Sequence, residues 1–415
     1  MKVLQLGKFY PIRGGVEKVM WDLTRGLSEA GVSCDMLCAK LPSDGIDEAD
    51  RVFIPKDTAK CTGENCRYLQ LNDNGRVYFV PALAKVAATM IAPAMITRLR
   101  SMLRRARRSG EPYDAVHIHH PDPMACIALF LSGFRGRVVL HWHSDILRQQ
   151  GLLKLYLPFQ KWLIRRADII VGTTPVYVEQ SPYLGGVQSK CTYLPIGVEP
   201  VSIARALPHC ASPVGEGSPE PFSSEEKDGQ GDCIGGVELY GKKVVYSMGR
   251  LVEYKGFRNL VLAAKYLPED HVVVIGGGGP LRQMLESQIA EEGLQGRVVL
   301  LGRVPEDEVA QWYCRCSVFV LSSVMKTEAF GIVQVEAMSC GKPVVATKIP
   351  GSGTSWVNED GVSGINVEVG DAKAIADAVL AIEADYARYS EGALRRYESM
   401  FTFSGMIEKC MNLYR

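Results

Sequence analysis

The chain has no uninterrupted apolar run of about 18 residues, so no segment is expected to cross a membrane as a helix. Its opening apolar run, Val3-Leu4-Gln5-Leu6, breaks at Lys8 and is too short for a secretory leader, so a cytoplasmic location is expected. Charge imbalance is also missing. Lys and Arg number 47 against 46 Asp and Glu, a net charge of +1, which gives no global reason to expect nucleic acid. No CxxC pair occurs among the twelve cysteines. They are scattered, with Cys61 and Cys66 flanking TGEN and one residue between Cys314 and Cys316, a pattern of thiols in a reducing compartment rather than of disulfides or zinc fingers. The GxGxxG fingerprint is absent too, which argues against a dinucleotide-dependent oxidoreductase.

What is present is enough chain, 415 residues with 47% hydrophobic and 22% charged, for two ordinary globular domains. The first half opens as strand, glycine loop, helix and strand. Val3–Leu6 reads as the strand, Gly14-Gly15 lies in the loop, and Val19, Met20, Leu23 and Leu27 share one face of a helix that Gly31 stops. That order is the start of a parallel α/β domain, whose ligands bind at the carboxyl ends of strands. Residues 43–76 read as a loop-rich excursion, followed by a strand at Val77–Val80. Residues 85–109 read as one amphipathic helical region with Arg98, Arg104, Arg105 and Arg108 on its basic face. Two readings of that face stand side by side: a solvated surface helix, or a docking surface for anionic lipid head groups. No aromatic residues are interleaved for stacking on nucleic acid.

Two strands, Ala115–Ile118 and Arg137–Leu140, each run into histidines, so that five of the seven histidines gather on one rim. His119 and His143 are the foremost of these. A polar rim for a sugar or phosphate is preferred to a zinc site, because no short-spaced ligand set with a structural pattern is present. Residues 202–236, rich in Ser, Pro, Gly and Glu, read as an exposed insertion without chemistry. A second α/β pattern follows. The strand at Lys243–Met248 leads to Gly249-Arg250 and Lys255-Gly256, and the strand at His271–Ile275 leads to Gly276-Gly277-Gly278-Gly279, which would let backbone approach a diphosphate or sugar. Arg forks onto two oxygens and Lys supplies a point charge, so phosphate is the natural partner of Arg250 and Lys255.

The most informative stretch is EAFGIVQVEAMSCG, Glu328 to Gly341, a turn feeding a helix that Gly341 ends. Were all eight steps from Glu328 to Glu336 helical, the two would lie roughly 12 Å apart at about 1.5 Å per residue. Paired acids of a retaining glycosidase stand about 5 Å apart, so these two carboxylates suit the ends of one long ligand instead. The N–H groups near Phe330, Gly331 and Ile332 are placed for an anion between them.

Together PIRGGVE, HIHHP, GRLVEYKG, GGGGP, LLGRVPEDEV and EAFGIVQVEAMSCGKPVVAT resemble the family 4 retaining glycosyltransferases over nearly the whole chain. HWHSDILRQQ and RRADIIVGTTPVYVEQSPYL look most like bacterial mannosyltransferases of O-antigen and related cell-surface polysaccharide synthesis. The resemblance implies a GT-B architecture: two Rossmann-like domains with parallel sheets facing across a cleft. An acceptor-binding domain would span 1–200, a flexible linker 201–238, a nucleotide-sugar domain 239–395, and a terminal helix crossing back 396–415. By the family's motif, Arg250 and Lys255 would grip the donor diphosphate, Glu336 the ribose and Glu328 the transferred sugar. Phe330, Gly331 and Ile332 would offer backbone N–H groups, Gly15 would approach the donor, and His119 would be the active-site histidine, with His143 a second rim residue.

No Asp-x-Asp occurs, so no metal bridging the diphosphate is expected and no cofactor is implied. The reaction implied is transfer of a hexose, mannose from GDP-mannose in the first instance, onto a lipid-linked saccharide at the inner membrane face. A sucrose- or trehalose-type synthase or phosphorylase is the rival within enzymes, and a non-catalytic nucleotide-sugar-binding protein the rival outside them.

Overall fold

A computed structural model describes residues 1–12, 15–44, 68–86, 89–146, 150–201 and 233–415. The chain forms two compact units, Met1–Ile196 with Phe403–Arg415, and Gly197–Thr402.

The first unit is built on strands β1 (Lys2–Tyr10), β2 (Ser33–Lys40), β3 (Tyr68–Asn72), β4 (Gly75–Pro81), the hairpin β5 (Ala84–Val86) and β6 (Thr89–Ile91), then β7 (Ala115–His120), β8 (Arg137–Trp142), β9 (Ile169–Gly172) and β10 (Cys191–Tyr193). Eight of them form one sheet in the order β10-β9-β8-β7-β1-β2-β4-β3. Every neighbouring pair is parallel except β3 with β4. Strands with helices on both faces must be apolar on both faces, and β7 is buried along its whole length. Chain order reverses between β1 and β7, the kind of position where open α/β sheets bind ligands at the strands' carboxyl ends.

The Gly15–Glu29 helix buries Val19, Met20, Leu23 and Leu27, the face expected from its spacing. Against it lies the Phe403–Asn412 helix, so close that a Cβ on Gly26 would meet Ile407 Cδ1 at 2.4 Å. The Pro123–Ser132 helix starts cleanly because Asp122 accepts from the Ala125 N–H at 3.0 Å.

Two sequence expectations fail here. The excursion expected over 43–76 ends in a β3–β4 hairpin, whose Leu69, Leu71 and Val77 are buried around an Asn72-Asp73-Asn74-Gly75 turn. The single helical region expected from Lys85 is instead the β5–β6 hairpin followed by a helix over Ala94–Arg108, with Pro93 at its N-cap. Proline disfavours helix in the residue before it, so the boundary falls there. Most of the 202–236 insertion lies outside the described residues.

The second unit opens with the hairpin β11 (Cys233–Ile234) and β12 (Val237–Glu238). Its strands β13 (Lys243–Met248), β14 (His271–Gly276), β15 (Val298–Gly302), β16 (Val318–Leu321), β17 (Val344–Thr347) and β18 (Gly364–Val367) form an all-parallel sheet in the order β15-β14-β13-β16-β17-β18. Its core joins Val245, Ile275, Val320 and Val345 from the strands to Leu260, Leu285 and Val379 from the helices. Order reverses between β13 and β16, so the loops leaving these two strands flank the binding position of this sheet.

Candidate active site

In the second unit those two loops carry Arg250 and Lys255 on one side and Glu328 on the other. Lys255 Nζ lies 2.5 Å from Glu328 Oε2, and the Ser323 hydroxyl donates to the same oxygen at 3.0 Å. The lysine and glutamate side chains are only 11% and 12% accessible. A pair this enclosed attracts strongly but has given up hydration, so removing one partner strands a buried charge. Glu328 is held further through its backbone, whose carbonyl accepts from the Ser352 hydroxyl at 2.5 Å. Arg250 is exposed.

Glycine fixes how these loops meet. Gly277, at φ +127°, lies so near the Gly249 carbonyl that a Cβ would approach its oxygen to 1.9 Å, and a Cβ on Gly279 would meet the Leu251 carbonyl oxygen at 2.4 Å. Backbone hydrogen bonds run Gly249 N to Gly276 O at 2.9 Å and Leu251 N to Gly278 O at 3.0 Å. Two of the four consecutive glycines therefore serve loop-on-loop packing, whereas Gly278 faces open space. The expectation that all four approach a ligand narrows to that one.

Helix begins only at Ile332 and runs to Ser339, with Gly331 at φ 74° as N-cap and no side-chain cap. The stretch Glu328–Gly331 is turn, so the all-helical geometry behind the 12 Å figure does not hold. The uncapped first turn leaves N–H groups suited to an anion. Gln334 Nε2 donates to the Phe330 carbonyl at 2.7 Å, and the buried Phe330 ring packs edge-on to Phe401, which leaves Phe330 only its backbone to offer a ligand. Glu336 Oε2 accepts from the Tyr313 hydroxyl at 2.7 Å, a partner that sequence spacing did not point to.

In the first unit, the histidines form a buried layer. His117 Nδ1 bonds the Tyr414 hydroxyl at 2.6 Å and His117 Nε2 bonds His141 Nδ1 at 3.2 Å. His119 is held between His143 Nε2 at 2.8 Å and Gln5 Oε1 at 2.8 Å. Gln5 Nε2 in turn donates to Tyr414 at 3.1 Å. Because the Gln5 oxygen can only accept, His119 carries its proton on Nε2 and takes one from His143 on Nδ1. His119 is wholly buried and His143 is 4% accessible, so His119 would reach a ligand only by giving up one of these partners. His120 stacks on Trp142 with 3.8 Å between ring centres.

Burial holds all five rings neutral, with His120 and His141 lowered to about 3 and the others well below the usual range. His117, His119 and His141 bring ligand atoms within 4.8 Å of one another. Their other nitrogens bond one another, His143, Gln5 and Tyr414, while His141 Nε2 has no hydrogen-bond partner, and an ion engaging the bonded nitrogens would displace the protons that join them.

Lys8 is the residue the sequence reading used only as the end of an apolar run. It sits at the carboxyl end of β1 with φ 58°, its N–H donates to Asp122 Oδ2 at 2.5 Å, and its Nζ donates to the Pro121 carbonyl at 2.7 Å. It thereby fixes the turn that follows His119 and His120. Burial lowers its pKa and raises that of Asp122. A charged residue at a strand's carboxyl end was the available signal. Gly15 begins the Gly15–Glu29 helix and is exposed, and Gly14 lies outside the described residues.

On the Ala94–Arg108 helix, Arg104, Arg105 and Arg108 are exposed, but Arg98 is half-buried with its guanidinium over the Tyr78 ring at 5.0 Å. Arg98 therefore faces the protein, contrary to the expectation that it joins a membrane-facing set. Among the described residues no helix is long and apolar enough to cross a membrane.

Residues 14–197 match the family described as Glycosyl transferase 4-like domain, and residues 237–396 match Glycosyl transferases group 1. The chain is 29% identical to O-antigen chain mannosyltransferase C of Escherichia coli across 100% of its own length and 98% of that protein. It is 31% identical to 2-deoxystreptamine N-acetyl-D-glucosaminyltransferase of Niallia circulans, covering 88% of this chain and 87% of that one. Among solved structures, Anabaena Alr3699/HepE in complex with UDP superposes with a TM-score of 0.70 at 20% identity, over 99% of both chains. With both sheets, their order and the two family matches in agreement, the chain is a hexosyltransferase of the group 1, 4-like glycosyltransferase family with the GT-B fold.

Proposed function

We propose that this enzyme transfers mannose from GDP-mannose, with retention at the anomeric carbon, onto a lipid-linked saccharide in cell-surface polysaccharide synthesis. The observation that carries the donor half is the enclosed Lys255–Glu328 pair at the switch point of the second sheet, beside an uncapped helix start. The full-length likeness to an O-antigen mannosyltransferase supports the choice of sugar and acceptor.

In this reading Lys255 and Arg250 take the diphosphate, and the N–H groups at Phe330, Gly331 and Ile332 add donors to the same charge. Preorganised donors of this kind stabilise a departing diphosphate as its charge grows, without reorganising during the step. Glu336, oriented by Tyr313, accepts from the ribose hydroxyls, and Glu328 accepts from hydroxyls of the sugar while holding Lys255. The first unit takes the acceptor, with His143 the more accessible member of the His119–His143 pair. No metal is required for the diphosphate, since cations of the chain and helix N–H groups supply its counter-charge.

For the membrane, Arg104, Arg105 and Arg108 form the docking face. Arg100, Arg104 and Arg107 also line a groove of about 320 Å³ beside Leu131. Basic side chains near an anionic bilayer contribute about 1 kcal/mol each, so such a face gives reversible, salt-sensitive attachment.

The experiment is a panel of GDP-, UDP- and ADP-sugars read first by thermal stabilisation and then by transfer to a polyprenyl-diphosphate-linked saccharide. GDP-mannose should stabilise most and give product with the same anomeric configuration as the donor. Product only from another donor overturns the mannose assignment, and transfer only to water-soluble sugars overturns the acceptor. Flotation with vesicles containing anionic lipid tests the docking face, which would be refuted by equal recovery on neutral vesicles.

A further inference from the structure

An aromatic stack packs against the Glu328–Gly331 turn of the second unit. Phe401, at the end of the Tyr386–Met400 helix, is wholly buried. Its ring meets Phe330 edge-on, with 5.9 Å between ring centres and 86° between planes, and meets Trp356 at 6.0 Å and 85°. The Arg396 guanidinium lies 5.1 Å from the centre of the Trp356 ring and 5.5 Å from that of Phe401. Arg396 is itself held, with Nη2 donating to the Trp356 carbonyl at 2.8 Å and Nη1 lying 3.1 Å from Glu359 Oε2.

The backbone of Phe401 is equally fixed. Its N–H donates to the Tyr397 carbonyl at 2.8 Å, and its carbonyl accepts from the Val198 N–H at 2.9 Å. Val198 also pairs with Thr402 in a parallel bridge, and its carbonyl accepts from the Tyr397 hydroxyl at 3.1 Å. These contacts lie within Gly197–Thr402, where the chain enters and leaves that unit. The ring of Phe401 is thus mounted on a constrained backbone.

We propose that Phe401 is a positioning residue for the donor site, its ring fixing the Phe330–Gly331 peptide so that the Gly331 N–H stays aimed at the donor diphosphate. Phe330 is gripped at two points, its ring by Phe401 and its carbonyl by Gln334 Nε2 at 2.7 Å. A peptide is planar and trans, so a carbonyl and the N–H that follows it point in opposite directions. Anchoring the Phe330 carbonyl on buried Gln334 therefore turns the Gly331 N–H away from that side chain, and the Phe401 ring keeps Phe330 from rotating the plane. A donor aimed before the substrate arrives stabilises the growing diphosphate charge without reorganising. The proposal rests on the reading of Phe330, Gly331 and Ile332 as diphosphate donors.

The test combines amide hydrogen exchange with steady-state kinetics on the full chain, the probe being GDP, or whichever of UDP and ADP the donor panel selects. In the wild type the diphosphate should slow exchange across 330–332. In free Phe401→Leu the same amides should exchange about tenfold faster, with diphosphate Kd raised and kcat at saturating donor lowered by about tenfold. Arg396→Lys keeps a charge for Glu359 but loses the flat face shared with both rings, so it should move all three readouts the same way by about threefold, and it serves should Phe401→Leu fail to fold. Val379→Ala, in the core on the far Ala372–Ala384 helix, is the control for lost stability: it should lower the melting temperature and leave exchange at 330–332, Kd and kcat unchanged. No protection of 330–332 by the diphosphate in the wild type would remove the donor reading and the proposal with it. Protection in the wild type with unchanged exchange and kcat in Phe401→Leu or Arg396→Lys would overturn the positioning role alone, as would equal effects in Val379→Ala.

Discussion

Replacing Glu328 by glutamine separates two roles that one carboxylate would play. In the free enzyme Glu328 neutralises Lys255 across 2.5 Å in a setting where both side chains are almost enclosed. The amide keeps an oxygen for Lys255 and Ser323 but loses the charge, a difference of about 2 kcal/mol for a charge-assisted hydrogen bond. For a unit the size of Gly197–Thr402, that lowers the melting temperature by about 4–8 °C. A diphosphate supplies the missing negative charge. The nucleoside diphosphate that stabilises the wild type should therefore stabilise Glu328→Gln more, by about fivefold in affinity if about 1 kcal/mol is recovered. The complete nucleotide sugar should show a smaller gain, because its sugar loses an acceptor. Differential scanning fluorimetry over a nucleotide titration reads both. An unchanged melting temperature would refute the enclosed-pair argument, and a weaker diphosphate response would refute Lys255 as the phosphate ligand.

Gly277→Ala should cost about 3 kcal/mol or more, since its Cβ meets a carbonyl oxygen at 1.9 Å in a left-handed conformation, whereas Gly278→Ala, with nothing within 4 Å, should leave the melting temperature within a degree or two. If Gly278 faces the donor, the same alanine raises the donor KM. Tyr313→Phe removes one hydrogen bond to Glu336, so donor affinity should fall severalfold while chemical denaturation changes by only about 1 kcal/mol.

The histidine layer predicts acid lability with a definite sign. These rings have folded pKa values below the unfolded value near 6.5, so the unfolded chain binds more protons and stability falls as pH drops from about 6.5 towards about 3. Each ring costs about 1.4 kcal/mol per pH unit in that window. His141→Phe should lower the slope of unfolding free energy against pH by about one proton, and an unchanged slope would show that the layer is protonated when folded.

Much of the molecule was legible because its strands are short apolar runs that end in glycine, histidine or a cation. The carboxyl ends of β1, β7, β8, β13, β14 and β16 were found this way, along with Arg250, Lys255 and the Glu328–Glu336 stretch. What escaped was set by partners distant in sequence. Nothing near Glu336 announces Tyr313, 23 residues earlier, and nothing near Gln5 announces Tyr414, 409 residues later. Arg98 shows the reverse limit: helical spacing put it on a basic face, but the Tyr78 ring across from it decided its direction. At Pro93 the signal was plain, yet a run of interleaved apolar and basic residues outweighed it.

Tyr414 has a consequence for how the protein is made. The first unit joins Met1–Ile196 to Phe403–Arg415, and its histidine layer is closed by the Tyr414 hydroxyl from the second of these segments. During synthesis the sheet of that unit emerges early, but Gln5 and His117 wait for their partner until residue Tyr414 has been made. The first-made half thus finishes folding last, with the long loop closure that slows formation of such contacts. A chain truncated before Phe403 would lack both the helix that packs on Gly26 and the phenol that satisfies the layer, leaving an open, polar-lined core for proteases to find.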